Sequence, residues 1–402
     1  MTVSAPVSEV GALERRFLSG TFAELCRIES PSGHERGCAD RVIAELRALG
    51  VSVQEDGAGE LTGSDCGNLL ARIPAAGGDS RGGAGARSVL LCAHLDTVPL
   101  QAPVEPVLLD GFWENANAGV LGADNKAAVA VLLALARHIC REGAPVDVEL
   151  LFTVGEETAL AGGRVFDVRS LRSDFGYVFD HASPIGEVVM GSPTHFRVEA
   201  SFRGAAAHAG IRPEQGRSAI LAAARAIASM RLGRLDDATT VNVGTVSGGT
   251  AMNVVPELCS LVGEVRALED ERAEALVAEI VDGVHKAANL PDCDCDVDVS
   301  VQRSFSGYGL AADGEAVRVA QAALRGCGHE PVGITSGGGS DANALLAAGF
   351  QTVNLANGTE RNHEPGERVS VAALEQMLDV ALALLDEAAR SPDGHCSFQR
   401  RC

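Results

Sequence analysis

Two periodicities divide the chain. Continuous apolar runs separated by helical patterns fill both ends, and strict alternation of apolar and polar positions fills the middle. Ser88-Val-Leu-Leu-Cys92 reads as a buried strand, and Val146 to Val154, Phe175 to Phe179 and Phe350 to Leu355 repeat the pattern. Around them lie helical patterns. Two fall within Leu13–Leu49, with Ser30-Pro-Ser-Gly33 as a break, and a long apolar one runs from Asn125 to Arg141. Others cover Gly314 to Arg325, the stretch from Ser336 to Ala348, and Val371 to Ala389. Apolar strands alternating with helices predict an α/β fold with a doubly wound, mainly parallel sheet. Gln101 to Asn117 reads as a long irregular connection carrying the only Trp, Trp113. Residues 1–12 and the polar tail from Ser391 read as loosely ordered, and the Gly-, Ser- and Arg-rich stretch from Ala75 to Arg87 as a flexible loop.

The middle changes character near Thr194. His195–Phe202, Thr239–Val246 and Glu257–Arg266 alternate like antiparallel strands, Ser218–Leu232 and Asp270–Ala288 are helical, and a last alternating run closes the set. Strand, helix, strand, strand, helix, strand is the order of a ferredoxin-like α+β unit. The expected organisation is therefore one domain in two parts, residues 1–193 and 304–402, with a second domain, 194–303, inserted into it. The closing run, Asp292 to Val301, contains Cys293 and Cys295, a spacing that resembles a metal site. Yet Cys293, Cys295, Val297, Val299 and Val301 fall on one face with the acids on the other, as in a half-buried strand.

Composition narrows the classes. The chain has 402 residues, 46% of them hydrophobic, enough for two domains and a large core. A formal net charge of −21 disfavours nucleic acid and anionic membranes as partners. No apolar run reaches the ~18 residues of a spanning helix, and no signal peptide is visible near Met1. The 11 cysteines include no C-x-x-C, which fits a reducing cytoplasm better than a disulfide framework.

The candidate chemistry lies at strand ends. His94 and Asp96 follow the first strand, Glu156 and Glu157 the second, Asp180 the third, and His363 lies in the loop after the fourth. Asp124 opens the long helix. In open α/β sheets ligands bind outside the carboxyl ends of the strands. Singly, each acid reads as a cap, a strand-end residue or a solvated turn. Together, imidazoles and carboxylates suit zinc, cobalt or manganese, and their number exceeds what one ion needs and is about right for two. One carboxylate then has to bridge. The adjacent pair Glu156–Glu157 divides naturally into one ligand and one base.

The motifs Ala93-His-Leu-Asp-Thr-Val-Pro99, Gly122-Ala-Asp-Asn-Lys126, Gly155-Glu-Glu157, Asp180 and Ser336-Gly-Gly-Gly-Ser-Asp-Ala-Asn343, followed by His363-Glu364, resemble the M20 family of dinuclear zinc peptidases and deacylases, peptidase T-like members above all. The resemblance extends from about Phe17 to Leu385. It implies that His94, Glu157, Asp180 and His363 each ligate one of two divalent ions, zinc first among them, and that Asp124 bridges both. It implies also that Asp96 orients His94, that Glu156 is the general base, and that the Asp124–Asn125 peptide is cis. The inserted domain resembles the family's lid, which dimerises. His208 matches a lid histidine that stabilises an oxyanion, often in the partner subunit, and Asn253 and Arg266 match substrate-holding positions. His181, after Asp180, departs from the glycine common in peptidase T-like chains. The implied enzyme is a homodimeric cytoplasmic aminopeptidase of di- or tripeptides. The alternatives are an N-acyl amino acid deacylase on the same metal centre, or a non-catalytic binding protein on a peptidase scaffold. A dinuclear phosphoesterase is disfavoured, because no Arg or Lys cluster accompanies the motifs.

Overall fold

The computed structural model describes residues 11–76 and 87–390. The expected tail from Ser391, positions 1–10 and most of the expected loop at 75–87 lie outside the described residues. Two compact units divide the chain. One runs to Met190 and resumes over Leu310–Ser336 and from Ser340; the other holds Gly191–Gly309 and Gly337–Gly339.

The first unit is built on a sheet whose central strands run in the order Leu69–Ile73, Asp147–Thr153, Ser88–His94, Phe175–His181, Thr352–Ala356 and Glu187–Ser192. The middle four are parallel, in register from Ser88 opposite Asp147 to His94 opposite Thr153. The strands beside them are antiparallel. Ser88–His94 is buried along its whole length, as a parallel strand covered on both faces must be. The helix Ala123–Glu142 is buried nearly all round, which explains a sequence with so little amphipathic contrast. It packs with Ala12–Arg27 and Val371–Arg390, while Glu315–Gly326 packs on the last of these. One continuous apolar core joins these helices to the sheet. The mainly parallel α/β architecture is therefore the one expected.

Gln101–Asn117 is not irregular. Pro106–Leu109 and Phe112–Asn115 form a hairpin that extends through Arg368–Ser370 to Thr359–Glu360. Its turn is Asp110-Gly111, both at positive φ (48° and 84°). An Asp-Gly pair with two left-handed residues matches the twist of flanking strands and is a strong hairpin signal. The signal was present, but the run is too short and polar to register as strands by periodicity.

The second unit is a five-stranded antiparallel sheet in the order Gly233–Asp236, Thr239–Gly248, Leu258–Ala267, Thr194–Arg203, Asp296–Phe305. The helices Ala219–Ser229 and Asp270–Ala288 pack against each other and the sheet, around a core of Phe202, Leu261, Val265 and Leu276. The last four strands carry the ferredoxin-like order, and Gly233–Asp236 adds an edge. The closing strand starts at Asp296 rather than Asp292. Asp294 sits at φ 42°, and Cys293 and Cys295 turn into the core as buried free thiols. Left-handed backbone at Asp294 interrupts the alternation, so the buried cysteines face the core from a turn.

Candidate metal centre

Each strand end delivers its group through the same geometry. His94 is the last residue of its strand, fully covered by the neighbouring strands. Its Nδ1 lies 3.0 Å from the Asp96 carbonyl oxygen and 3.3 Å from Asp96 Oδ1, so that nitrogen is held on the protein side. Its Nε2 is then left to face Asp124 Oδ1 at 3.2 Å and Asp180 Oδ1 at 3.7 Å. His363 reaches the cluster from the other side, its Nε2 3.2 Å from Asp124 Oδ2 and 2.9 Å from Glu157 Oε1. Asp124 therefore presents one oxygen to each histidine, the arrangement a bridging carboxylate requires. The Asp124–Asn125 peptide is cis. Asn125 donates from Nδ2 to Asp180 Oδ1 (3.0 Å) and to the Phe179 carbonyl (2.9 Å).

Two sets of donor atoms lie close enough to surround a cation. Ligand atoms of His94, Glu156 and Asp180 all lie within 4.8 Å of one another, and so do those of His94, Asp124 and Glu157. The electrostatics point the same way. Asp96, Asp124, Glu156 and Asp341 are buried, and the Glu157 and Asp180 side chains are 9% exposed. Burial, then the charge of Asp180, raises the Glu156 carboxyl well above its usual range. Burial also raises Asp180, with Asp124's charge adding to it, and raises Glu157. Burial opposes charge on His94, but the carboxylates of Asp124, Asp180 and Asp96 outweigh it and raise its pKa. Burial works against the Asp124 charge too, and the two histidines overcome it. Hydrogen bonds to Asp124 and Glu157 push His363 up to about 10. So many acids facing so few cations is a cluster short of positive charge, and oxygen and imidazole donors match a borderline divalent ion.

Several supporting contacts carry no sequence signal. Asp96 does more than orient His94: its Oδ1 accepts from the Glu156 amide (2.9 Å), and its Oδ2 from the Glu157 amide (3.1 Å) and Ser32 Oγ (2.6 Å). Glu35 takes the preceding amide, Gly155, at 3.0 Å, together with Gly33 N and Ser64 Oγ. Three successive amides of the Gly-Glu-Glu turn thus end on fixed carboxylates. Glu367 accepts from the amides of Leu121 (2.8 Å), Gly122 (2.7 Å) and Asp124 (2.8 Å). Asp341, inside a quoted motif but given no role, is buried beneath the site, accepts from Thr153 Oγ1, and is pushed up to about 7 by burial. These acids lie far from their targets in sequence and on no shared period, so only the fold could pair them. The His181 imidazole is half-buried, and burial lowers its pKa.

The three expected substrate positions fall in the second unit. His208 and Asn253 are exposed and neighbouring, since His208 bridges to Val254 and the Ala209 amide donates to the Asn253 carbonyl (2.9 Å). The Gly210 amide donates to His208 Nδ1 at 3.2 Å, which leaves Nε2 as the protonated nitrogen. Arg266 lies elsewhere in the unit. Its Nε and Nη2 meet Glu264 at 3.2 and 3.1 Å, and Nη1 donates to the Gly337 carbonyl at 3.0 Å.

Comparison with known proteins gives a consistent picture. Residues 192–289 match a peptidase dimerisation domain, and residues 68–207 match peptidase family M28. An aminopeptidase PepT from Bacillus cereus is 34% identical, covering 93% of this chain and 99% of its own, with a TM-score of 0.82. A tripeptidase from Staphylococcus aureus is 31% identical over 94% of this chain and 99% of its own, with a TM-score of 0.86. The uncharacterized protein YqjE of Bacillus subtilis is 32% identical over 94% of this chain and 99% of its own length.

Proposed function

We propose, on the premise that the chain belongs to the M20 family of metallopeptidases, that it is an aminopeptidase hydrolysing di- and tripeptides. The observation that carries the chemistry is the paired arrangement around Asp124, with one oxygen on each of two histidines and carboxylates completing each side. His94, Asp180, Glu157 and His363 are assigned as ligands of two divalent ions, zinc first among them, with Asp124 between. Such ions polarise a scissile carbonyl and lower the pKa of a water.

The chain's own groups do the rest. Glu156 is the general base: a buried carboxyl whose proton affinity is raised takes a proton from the attacking water and returns it to the leaving amine. Asp96 keeps that base in place by binding its amide, and the same carboxylate holds the imidazole of His94. His208, with a proton on Nε2, is assigned to the oxyanion. Asn253 beside it is assigned to the substrate backbone and Arg266 to the substrate carboxylate. Arg266 then has to exchange part of its contact with Glu264 for the substrate. The dimerisation-domain match supports a homodimer formed through residues 194–303. No helix among the described residues is long and apolar enough to cross a membrane, and the cytoplasm is the proposed compartment.

A panel of tripeptides, dipeptides and N-acetyl or N-succinyl amino acids, assayed with zinc-, cobalt- and manganese-loaded protein, tests the reading. Turnover of peptides with a free amino end supports it. Turnover of acyl amino acids alone replaces it with the deacylase. Native-state mass measurement decides the dimer.

A further inference from the structure

The two proposed pairs of terminal ligands, His94 with Asp180 and Glu157 with His363, differ in what holds them. His94 and Asp180 stand at the ends of neighbouring parallel strands that pair as far as Cys92 and Val178; His94 is itself paired to Thr153, and the Asp180 backbone is held by the Asn354 side chain (3.0 Å each way). Glu157 and His363 stand on loops. A site on loops is less well defined unless other groups tie the loops down.

The tie on the Asp124 side is one loop. Residues 362–367 touch Asp124 three times. Asn362 Nδ2 donates to Oδ2 at 2.9 Å, His363 Nε2 lies 3.2 Å from the same oxygen, and Glu367 Oε1 accepts from the backbone amide at 2.8 Å. Glu367 Oε2 takes the amides of Leu121 and Gly122. Leu121 and the N-cap Gly122 lead directly into the helix Ala123–Glu142, where Asp124 and Asn125 depart from helical geometry (ψ 106° and 22°). Helix-start amides have no partner within the helix, and here a buried carboxylate takes them. The loop is itself closed by the Glu364 amide on the Arg361 carbonyl (3.2 Å) and the Glu367 amide on the Glu364 carbonyl (3.1 Å). His363 and Glu367 are therefore fixed relative to one another while both grip Asp124.

We infer that Glu367 is a positioning residue selective for one of the two metal sites, the one formed by Asp124, Glu157 and His363. It sets the spacing between Asp124 and His363 by holding the Asp124 turn on the loop that carries His363. The inference rests on the metallopeptidase reading. The site of His94 and Asp180 takes its spacing from the sheet and does not depend on Glu367 to the same degree.

Zinc titration of the metal-free protein against a competing chelating dye, native and Glu367→Gln, tests this. Gln keeps the volume but sets an NH2 group against an amide that needs an acceptor. Two classes of site are expected in the native protein, and in E367Q one class weakens by about 10–100-fold while the other is unchanged. The weakened class should be the one that His363→Ala removes. With excess zinc, kcat of E367Q should recover, which a general loss of folding would not allow. Equal weakening of both classes, or none, overturns the inference. If E367Q does not fold, Glu367→Asp, which keeps the charge but shortens the reach to the three amides, reads the same grip: selective weakening of that class supports the inference, and unchanged titration overturns it. A native protein that binds fewer than two zinc ions overturns the metal reading itself, before any variant is compared.

Discussion

The candidate groups of the two units are held in opposite ways. In the first unit the proposed metal ligands and the base gather at one sheet edge, all but the half-exposed His363 are buried or nearly so, and they are tied to neighbours of the same unit. In the second, His208 and Asn253 are exposed, and Arg266 is partnered by Glu264. A buried cluster of like charges has to be compensated where it stands, so its geometry is complete within one unit. Exposed groups carry no such constraint, and their role depends on what reaches them. On the proposed assignment the first unit specifies the chemistry, and the second contributes through substrate and partner.

Four measurements bear on that contrast. The largest effect is expected from Glu156→Gln, with kcat/KM falling by about 10²–10⁴-fold while the protein retains both metal ions. Retained activity and metal content together would remove Glu156 as the base. Next is His208→Ala. An oxyanion donor is worth about 10²–10³ in kcat, and the loss should come without change in metal content, since His208 is not among the proposed ligands. A comparable loss of metal would mean that the contrast between the units is false. Third, Leu261→Ala, which opens a cavity in the second unit's core, should destabilise it by about 2–5 kcal/mol. Calorimetry should show that transition moving alone, with the transition that shifts on chelation left in place. A single transition responding to both would merge the units.

The smallest effect is in pH. In the metal-free protein His363 is raised to about 10 by Asp124 and Glu157, so near neutrality it holds a proton. An imidazole must lose that proton to bind a metal ion. Metal binding should therefore release a proton from His363, and affinity should rise about tenfold per pH unit up to about 10, for that one proton. The sign reverses for the metal-free fold. A raised histidine pKa stabilises the folded state fully below its unfolded value, roughly 6.5, and the stabilisation fades as pH rises through about 10. Calorimetry of binding in buffers of different ionisation enthalpy counts the protons. A pH-independent affinity would place neutral imidazoles in the metal-free site.

Much of the first unit was legible because burial writes itself into composition. Ser88-Val-Leu-Leu-Cys92 is apolar because both faces of the strand are covered, and each strand end then stands out as the place where polarity resumes. That contrast located His94, Glu156, Glu157 and Asp180. The inserted unit was equally readable in its alternation, up to the cysteine turn, where the left-handed Asp294 broke the period that sequence alone had extended. The hairpin at Asp110-Gly111 was missed for the opposite reason, since its signal lies in two turn residues rather than in a period.

Local patterning thus carried the elements, their order and the residue types at the sheet edge, because those follow from which positions meet water. The pairing of Glu35 with Gly155, of Asp96 with the amides of Glu156 and Glu157, and of Glu367 with the Asp124 turn came from the tertiary structure alone. A carboxylate that accepts from backbone amides places no demand on the sequence at those amides, so the partnership leaves no trace until the chain has folded.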